Sequence, residues 1–410
     1  MRKILTLSMM VVFIIGLKAQ TVKILFDATK AETAANSDWV MDADQYNLDW
    51  NPGAVIMSGT YEANAQKVPT PAQSGITSTT VETYWSGGIS SWAVDMVKKG
   101  YYVETLPYNG AITYGNASNI QDLSNYKVFI VCEPNIKFTT AEKNAMLSFV
   151  QNGGGLFMVA DHNISDRNGD GWDSPHIWND FMDTNYVITT HPFGIHFDYA
   201  NFSQTSTNVA TLPGDPLLHG IMGNVTKVMW SGGNTMTLST TNNSSVKGVV
   251  FKTGSSTTGS TNAMVAYVTY GTGRVVGFGD SSPCDDGTGD VNDVLYDGWI
   301  TDASGNHEKL IVNATIWLAG NPATSIDEVV SDNILVNQLT YNDRVEFVIS
   351  SSETIKNASF NVFDILGNLV YKTSDVAEIN LLNNQLGSGI FIYRLDVDEV
   401  TSKTGKFIIP

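Results

Sequence analysis

Short, near-continuous runs of apolar residues are the feature that most restricts the fold of the first three quarters of the chain. Four of these runs have the length and composition of buried strands: Val22–Asp27, Tyr101–Leu106, Lys127–Cys132 and Leu156–Ala160. Amphipathic segments with helical spacing lie between them. Buried strands that alternate with helices are typical of a parallel sheet covered on both faces. The sequence therefore predicts an α/β domain with a mostly parallel sheet.

The helices carry their own start and stop signals. Gly88–Lys99 places its apolar residues on one face, and Thr139 with Glu142 forms a capping box at the start of the next helix. Asn152–Gly155 ends that helix. Further strands and a closing helix are predicted at Lys247–Lys252, Ala263–Tyr270, Arg274–Phe278 and His307–Leu318. Residues 201–261, rich in Ser, Thr, Asn and Gly, predict surface loops with some antiparallel strands.

The pattern changes after Ala319–Pro322, where short alternating strands follow one another with turn residues between them. That pattern predicts a small C-terminal all-β sandwich. We therefore divide the chain into residues 1–19, a signal peptide, residues 20–322, the α/β domain, and residues 323–410, the sandwich.

The signal peptide is inferred from a basic start, an apolar run and a small residue at the expected cut. Met1–Lys3 precedes the run Ile4–Leu17, and Ala19 follows it. The run falls short of the ~20 apolar residues that span a bilayer, although an N-terminal anchor is the alternative. We expect a mature chain with no transmembrane segment, secreted or held on the outer-membrane surface.

The charge limits the partners of the mature chain. Removal of Arg2, Lys3 and Lys18 leaves 20 basic and 41 acidic side chains, a formal charge of −21. Such a surface repels phosphate backbones, so nucleic acid is not an expected ligand. Cys132 and Cys284 are the two cysteines of the chain, and they form either one bridge or two buried thiols.

Polar side chains follow four predicted strands, and parallel strands collect their functional residues just beyond their carboxyl ends. We expect these side chains to converge on one crevice that binds a polar ligand or a cation. The candidate ligand-binding residues are Asp27, Glu32, Asp38, Trp39, Asn135, Asn163, Ser281, Asp285 and Asp286. The candidate catalytic residues are Asp161, His162, Glu133 and Asp280.

One loop has the spacing of calcium ligands. Oxygen-bearing side chains recur at alternate positions around a glycine: Asp166, Asn168, Asp170 and Asp173. Ile177 stands where an EF-hand has its glutamate, so a distant carboxylate would have to complete the site. A surface turn without an ion is the alternative, and His162, His176, His191 and His196 could instead bind a transition metal.

The sequence shows no clear nucleophile elbow. Such an elbow needs Gly-x-Ser/Cys-x-Gly, and neither Cys132 nor Cys284 has the flanking glycines. Ser281 lacks a glycine two positions later. A hydrolase would therefore depend on Asp, His and Glu side chains, with or without a metal-activated water.

The C-terminal region resembles the sorting domain of the type IX secretion system. Three blocks carry the resemblance, in order: Phe363–Val370, Leu386–Tyr393 and Lys406–Pro410. The resemblance implies a Gram-negative bacterium of the Bacteroidota, and the type IX secretion machinery as the partner of residues 323–410. An ordinary carbohydrate-binding or adhesion sandwich is the alternative.

The α/β domain resembles the class I glutamine-amidotransferase-like superfamily. The blocks are Ile24–Asp27, Tyr126–Glu133, Phe138–Glu142, Phe149–Leu156 and Asp161–His162. The branch it most resembles holds the trehalose-utilisation-like and the gliding-motility and intraflagellar-transport-like domains. The resemblance implies a flavodoxin-like core and, for the non-catalytic branch, carbohydrate binding.

Amidotransferase activity is not expected from this resemblance. Members that are amidotransferases have a catalytic Cys after the strand that corresponds to Leu156–Ala160, where this chain has Asp161–Asn163. They also have a His-x-Glu pair after the last strand, where this chain has Gly279–Ser281.

The sequence is compatible with two functions and with a purely structural interpretation. The first is carbohydrate binding at the crevice, with a calcium-stabilised loop and with stacking on tryptophans near the clusters, namely Trp39, Trp85, Trp172 and Trp299. The second is an extracellular hydrolase that uses the candidate catalytic residues. In a third, purely structural interpretation, the acidic loops are solvated surface.

Overall fold

The protein divides into two compact units, Met1–Asn321 and Pro322–Pro410. The structure is a computed structural model. The residues that it describes are 22–34, 37–42, 56–57, 60–61, 67–185, 187, 191–289, 297–299, 305–320, 334–340, 344–351, 357–364, 368–375, 378–387, 389–397 and 401–409. The predicted signal peptide, residues 1–19, lies outside the described residues.

The first unit alternates strands and helices. Its strands are β1 (Lys23–Asp27), β2 (Ile56–Met57), β3 (Thr60–Tyr61), β4 (Tyr102–Leu106), β5 (Val128–Cys132), β6 (Gly155–Val159), β7 (Ile195–Phe197), β8 (Phe202–Ser206), β9 (His219–Gly220), β10 (Gly223–Asn224), β11 (Val228–Gly233), β12 (Met236–Leu238), β13 (Lys247–Phe251), β14 (Ala263–Tyr270) and β15 (Gly273–Phe278). Its helices are α1 (Ser90–Lys98), α2 (Thr140–Gln151), α3 (Ser174–Asp183) and α4 (His307–Leu318). The predicted strands and helices are confirmed to within two residues, and so is the capping box of α2.

One large mixed sheet organises this unit. Its order is β4-β1-β5-β6-β15-β14-β12-β7, and β13 also pairs with β14. The strands from β4 to β15 are parallel to one another, and numbered along the chain they follow the order 2-1-3-4-5. Beyond β15 the added strands are antiparallel. The chain thus has a mixed α/β fold with a large sheet whose first five strands are parallel.

The strands of this sheet are buried because helices cover it. Every residue of β5 and of β6 is buried, which requires cover on both faces. On one face α1 packs against α4, where Trp92 Nε1 donates to Thr315 Oγ1 at 3.0 Å and the Trp92 ring lies 4.9 Å from that of Phe157. An ion pair between Lys143 and Asp180 joins α2 to α3.

The second unit contains antiparallel strands. They are β16 (Ile334–Thr340), β17 (Arg344–Ser351), β18 (Ala358–Asp364), β19 (Leu369–Thr373), β20 (Glu378–Leu382), β21 (Gly389–Val397) and β22 (Thr401–Ile409), with a helical turn α5 (Asn383–Leu386). They form a three-stranded sheet, β16-β17-β20, and a four-stranded sheet, β19-β18-β21-β22. The two sheets share one core, in which the Phe347 ring lies 4.9 Å from the rings of Phe360 and Tyr393.

In the described part of the chain, every helix is too short or too polar to cross a lipid bilayer.

Candidate functional site

Four buried carboxylates lie at one edge of the sheet, where the neighbouring parallel strands β1, β5, β6 and β15 end. Asp27 is the last residue of β1. Val159 of β6 pairs with Cys132 of β5 on one side and with Phe278 of β15 on the other. Glu133, Asp161 and Asp280 come just after these paired residues, so they lie at the same edge. All four carboxylates are almost fully buried. A buried carboxylate is costly unless it is paired or protonated, so their partners decide what this edge can do.

Arg167 joins two of these strand ends. Its guanidinium forms a two-pronged ion pair with Glu133, in which Nε meets Oε1 and Nη2 lies 3.3 Å from Oε2. The same Nη2 lies 3.2 Å from Asp161 Oδ2. The Ser281 hydroxyl donates to Glu133 Oε2 at 2.7 Å and adds the end of β15. Sequence reasoning missed Arg167, although it is the one cation in an acidic segment.

Asp280 is held by backbone N–H groups. Its Oδ2 accepts from Ser231 N at 2.5 Å and its Oδ1 from Ser282 N at 2.9 Å. A β-bulge between Ser231 and Gly233 shifts β11 at this point. Burial, with the nearby charge of Asp161, raises the pKa of Asp280 to about 8, so this carboxyl is mostly protonated at neutral pH.

The pKa of Glu133 is shifted in opposite directions by burial and by its partners. Burial raises the pKa of Glu133 to about 7, although the charge of Arg167 and the hydrogen bond from Ser281 act in the other direction. Asn135, another candidate residue, supports this corner: its Nδ2 donates to the Glu133 carbonyl at 2.8 Å, and its Oδ1 accepts from Arg167 N at 3.1 Å. Asn135 is buried, so its polar groups serve the protein itself.

His162 is a partly exposed residue that contacts this buried network. Its Nδ1 lies 2.9 Å from Asp161 Oδ2, and its side chain is 26% exposed. The interaction with the Asp161 carboxylate raises the pKa of the imidazole. Gly232, with φ +86°, faces it: a Cβ there would lie 3.7 Å from His162 Nδ1.

Aromatic side chains extend the exposed surface beside His162. Asn163 N donates to the Ala200 carbonyl at 2.8 Å, which places the segment before Ala200 against this loop. Tyr199 is 50% exposed and stacks on His176 with the ring centroids 3.9 Å apart. His176 in turn lies with Nδ1 2.5 Å from Asp173 Oδ1. Nothing in the sequence pattern singled out Tyr199, because its position depends on this long-range contact.

Three strained residues lie at the same edge. Ala31, Glu133 and Ile164 have φ of +58°, +51° and +68°, and they follow β1, β5 and β6. Positive φ is disfavoured for residues with a Cβ, above all for a β-branched one, and such strain tends to collect at functional sites. Ile164 is also 77% exposed, beside His162.

The cluster after β1 is buried and incompletely hydrogen-bonded. Asp27 Oδ1 accepts from Thr29 N at 3.2 Å, and Glu32 Oε2 accepts from Lys30 N at 2.7 Å. In the described part of the chain, Asp27 Oδ2 and Glu32 Oε1 have no hydrogen-bond partner. Burial raises the pKa of Asp27 to about 6 and that of Glu32 well above its usual value. Asp38 is buried in the same segment.

The predicted stacking tryptophans are not open to a ligand. Trp39, Trp85 and Trp299 are buried. Trp172 is half-buried, and the Lys137 ammonium lies 3.9 Å from the centre of its ring.

Asp285 and Asp286 bond to the protein. Asp286 Oδ2 accepts from Ser91 N at 2.7 Å in the first turn of α1, where the helix dipole favours a negative charge. Asp285 Oδ1 accepts from Gly287 N at 2.8 Å. Burial raises the pKa of Asp286 to about 6. Asp286 thus holds the loop after β15 against α1, and Asp285 stabilises the turn within that loop.

The predicted calcium loop turns its oxygens toward its own backbone. Asp166 accepts from the N–H groups of Asp170 and Gly171, at 3.1 and 2.7 Å. Asn168 Oδ1 also accepts from Asp170 N, at 3.3 Å. Asp173 is the N-cap of α3. The described residues contain no group of three or more His, Cys, Asp or Glu side chains arranged to hold a metal. Calcium binding by this loop stays a prediction.

Both cysteines are free thiols. Cys132, at the end of β5, and Cys284, in a 3-10 turn after β15, are buried. Burial, with Cys284 beside it, raises the pKa of the Cys132 thiol well above its usual value, so Cys132 does not have the properties of a nucleophile.

Comparison with known proteins adds only weak structural likenesses. No family model matches the chain, and neither does any curated protein. The mmIFT52 N-terminal domain is similar at 12% identity and a TM-score of 0.39, over 72% of this chain and 97% of that one. A ThuA-like protein from Parabacteroides merdae is similar at 10% identity and a TM-score of 0.35, over 75% and 92%. A DUF3244 protein from Bacteroides vulgatus, with an immunoglobulin-like β-sandwich fold, is 14% identical with a TM-score of 0.16, over 18% and 82%.

Proposed function

We propose that the first unit is a flavodoxin-like domain that binds a carbohydrate at the exposed surface around His162. We call this surface the His162 rim: His162, Asn163, Ile164, His176 and Tyr199. The observation that carries the proposal is that a buried network of carboxylates and Arg167 ends at one partly exposed imidazole beside an exposed aromatic ring.

The buried residues support the rim and do not contact the ligand in this arrangement. Glu133, Asp161 and Asp280 bond to Arg167, to serines and to backbone N–H groups. Such bonds hold a polar binding surface in place before the ligand arrives, which reduces the entropy lost on binding. His162 and Arg167 are the members of the network that also reach solvent.

The chemistry of the rim suits a sugar. An apolar ring face and a few fixed polar groups are the usual elements of a small-ligand site, and a pyranose offers both C–H faces and hydroxyls. The stacked pair of Tyr199 and His176 supplies a flat surface, while His162 and Asn163 supply hydrogen-bonding groups. The contact with Asp173 keeps the His176 ring in position.

The first experiment is a glycan array with the mature chain, residues 20–410, followed by calorimetry with the best ligand. Tyr199→Ala removes the stacking surface, and we expect the Kd to rise by about tenfold. His162→Ala should weaken binding by a similar factor, because it removes the exposed group of the network.

Tyr371→Ala is the matched control, since it removes a half-buried tyrosine from β19 in the second unit. It should leave the Kd unchanged. If the Tyr199 and His162 variants are folded by circular dichroism and bind as well as the unmodified chain, the ligand is bound elsewhere, and the carbohydrate-binding sandwich becomes the better explanation.

Hydrolysis is the second candidate function, favoured by the Asp161–His162 pair. A carboxylate that holds an imidazole and raises its pKa is a common general-base arrangement. His162 is the group that would touch a water or substrate hydroxyl, and Asp161 would orient it. Release of reducing ends or of acyl groups from the glycans that bind, lost in the His162→Ala variant, would establish this activity.

The route to the cell surface belongs to the same proposal. We propose that residues 1–19 direct export across the inner membrane and that residues 323–410 are recognised by the type IX secretion machinery. The support is the order of the three sequence blocks that end the chain. Comparison of culture medium and surface fractions with and without residues 323–410, in a host that has this system, tests the route.

A further inference from the structure

A small cavity lies at the edge of the sheet opposite the His162 rim. It has a volume of about 200 Å³, and its lining includes Lys127 before β5, Asn152 and Gly153 after α2, and Gly154 before β6. Because Lys127 and Gly154 come just before the first residues of β5 and β6, the cavity is at the amino ends of the parallel strands. It is therefore separate from the proposed carbohydrate surface.

Lys127 lines this cavity, and a second cation, Arg274, lies next to Lys127. Lys127 Nζ donates to the Gly153 carbonyl at 2.5 Å, and Arg274 Nη1 donates to the Trp317 carbonyl at 2.6 Å. A Cβ added at Gly320 would lie 3.2 Å from Arg274 Nη1 and 3.6 Å from Lys127 Cε, so the two side chains meet at one glycine. Both are only partly exposed.

These cations have no carboxylate partner in the described part of the chain, although the chain carries 41 acidic side chains. The pKa of Lys127 is lowered by burial and by the charge of Arg274. Burial lowers the pKa of Arg274 as well. Two like charges held close together at a partly buried position are unfavourable unless something negative neutralises them.

The ends of two helices supply part of that negative charge. Gly153 follows the end of α2, and Trp317 is in the last turn of α4, where the carbonyls carry partial negative charge. Each cation uses one donor on these carbonyls, while an ammonium has three donors and a guanidinium has five. The helix ends thus explain the positions of the cations but leave most of their donors unused.

We propose that Lys127 at this cavity, together with the neighbouring Arg274, binds a small oxyanion, either a free ion or the carboxylate, sulfate or phosphate group of a small molecule. Charge-assisted hydrogen bonds from an ammonium and a planar guanidinium are the strongest that proteins form to such groups. Gly153 also leaves space beside the Lys127 ammonium, because a Cβ at this position would lie 3.6 Å from Lys127 Nζ.

The test uses the full mature chain with sulfate, phosphate and acetate as probes, at constant ionic strength set with chloride. We expect at least one probe to raise the melting temperature in a saturable way and to give a measurable Kd by calorimetry. Lys127→Gln with Arg274→Gln should raise that Kd by at least about tenfold, because each charge-assisted bond contributes strongly.

Lys247→Gln is the control, since it removes an exposed cation from β13 and should leave the Kd unchanged. Because Lys127 and Arg274 also hold helix ends, the double variant loses stability whether or not an anion binds. The pair Lys127→Arg and Arg274→Lys keeps both charges and should retain binding. Absence of saturable binding, or equal binding by the Gln double variant, would show that these cations serve only the helix ends.

Discussion

Arg167 is the residue on which the candidate site depends most, because it neutralises carboxylates that two different strands bury. Glu133 and Asp161 both lie within reach of its guanidinium, and Asn135 fixes its backbone. A buried ion pair adds little stability compared with apolar residues, but removal of one partner leaves a charge that water cannot reach. The charge of Arg167 is therefore required for Glu133 to ionise in the folded protein.

We expect Arg167→Ala to lower the free energy of unfolding by about 3 kcal/mol at pH 8. At pH 5 the loss should be smaller, because a Glu133 carboxyl with a pKa of about 7 is protonated there and needs no cation. Urea denaturation of the variant and of the unmodified chain at both values measures this difference. An equal loss at pH 5 and pH 8 would mean that the stability supplied by Arg167 does not depend on the ionisation of Glu133.

At the scale of the elements, α4 and β6 approach each other so closely that only glycine fits between them. A Cβ on Gly155 would lie 2.5 Å from the Leu318 carbonyl oxygen and 2.7 Å from the Leu318 Cβ. Leu318 is the last residue of α4 and Gly155 the first of β6, so the contact fixes where this helix ends on the sheet. Backbone atoms cannot move aside as the end of a flexible side chain can.

Gly155→Ala should therefore lower the free energy of unfolding by about 1 to 3 kcal/mol, the cost of forcing a methyl group into a filled site. Urea denaturation monitored by circular dichroism, which reports on both units, measures the change. Gly389→Ala is the control, because a Cβ there would meet its nearest neighbour, Phe391, at an ordinary 3.6 Å. Similar stability of the two variants would contradict the close approach of α4 and β6.

The whole molecule buries several acids whose pKa is raised, and this sets its dependence on pH. Burial raises the pKa to about 6 for Asp27 and Asp286, to about 7 for Glu133 and Asp95, and to about 8 for Asp280. Between its unfolded and folded pKa, each group binds a proton in the folded state but not in the unfolded state. The free energy of unfolding then falls as the pH rises.

We therefore predict that stability decreases steadily from about pH 5 to pH 8, measured as the free energy of unfolding in urea across that range. Asp280→Asn should make the decrease shallower, most clearly above pH 6, since the pKa of this carboxyl, about 8, is the highest of these five. Below pH 4 the opposite trend should appear, because Asp122 has its pKa lowered to about 2 and loses a stabilising charge when it is protonated. A flat profile from pH 5 to pH 8 would contradict the burial of these acids.

Local patterns were sufficient to predict much of the α/β unit. Buried parallel strands leave continuous apolar runs, and a capping box such as that of Thr139 and Glu142 acts within four residues, so both can be recognised without knowing the fold. The edge at which Asp27, Glu133, Asp161 and Asp280 lie could be predicted for the same reason: residues after parallel strands share one edge.

Neighbouring residues along the chain are enough to specify which helices and strands form and which residues lie at their ends. The hydrogen-bond partner of each polar side chain, in contrast, depends on the folded sheet. Arg167 reaches Glu133 across 34 positions, Ser231 reaches Asp280 across 49, and Asp286 reaches Ser91 across 195. Tyr199 became part of the rim, and three of the four tryptophans became core, for the same reason. Such bonds join segments that local spacing does not relate, so their energies are settled only when the sheet brings the segments together.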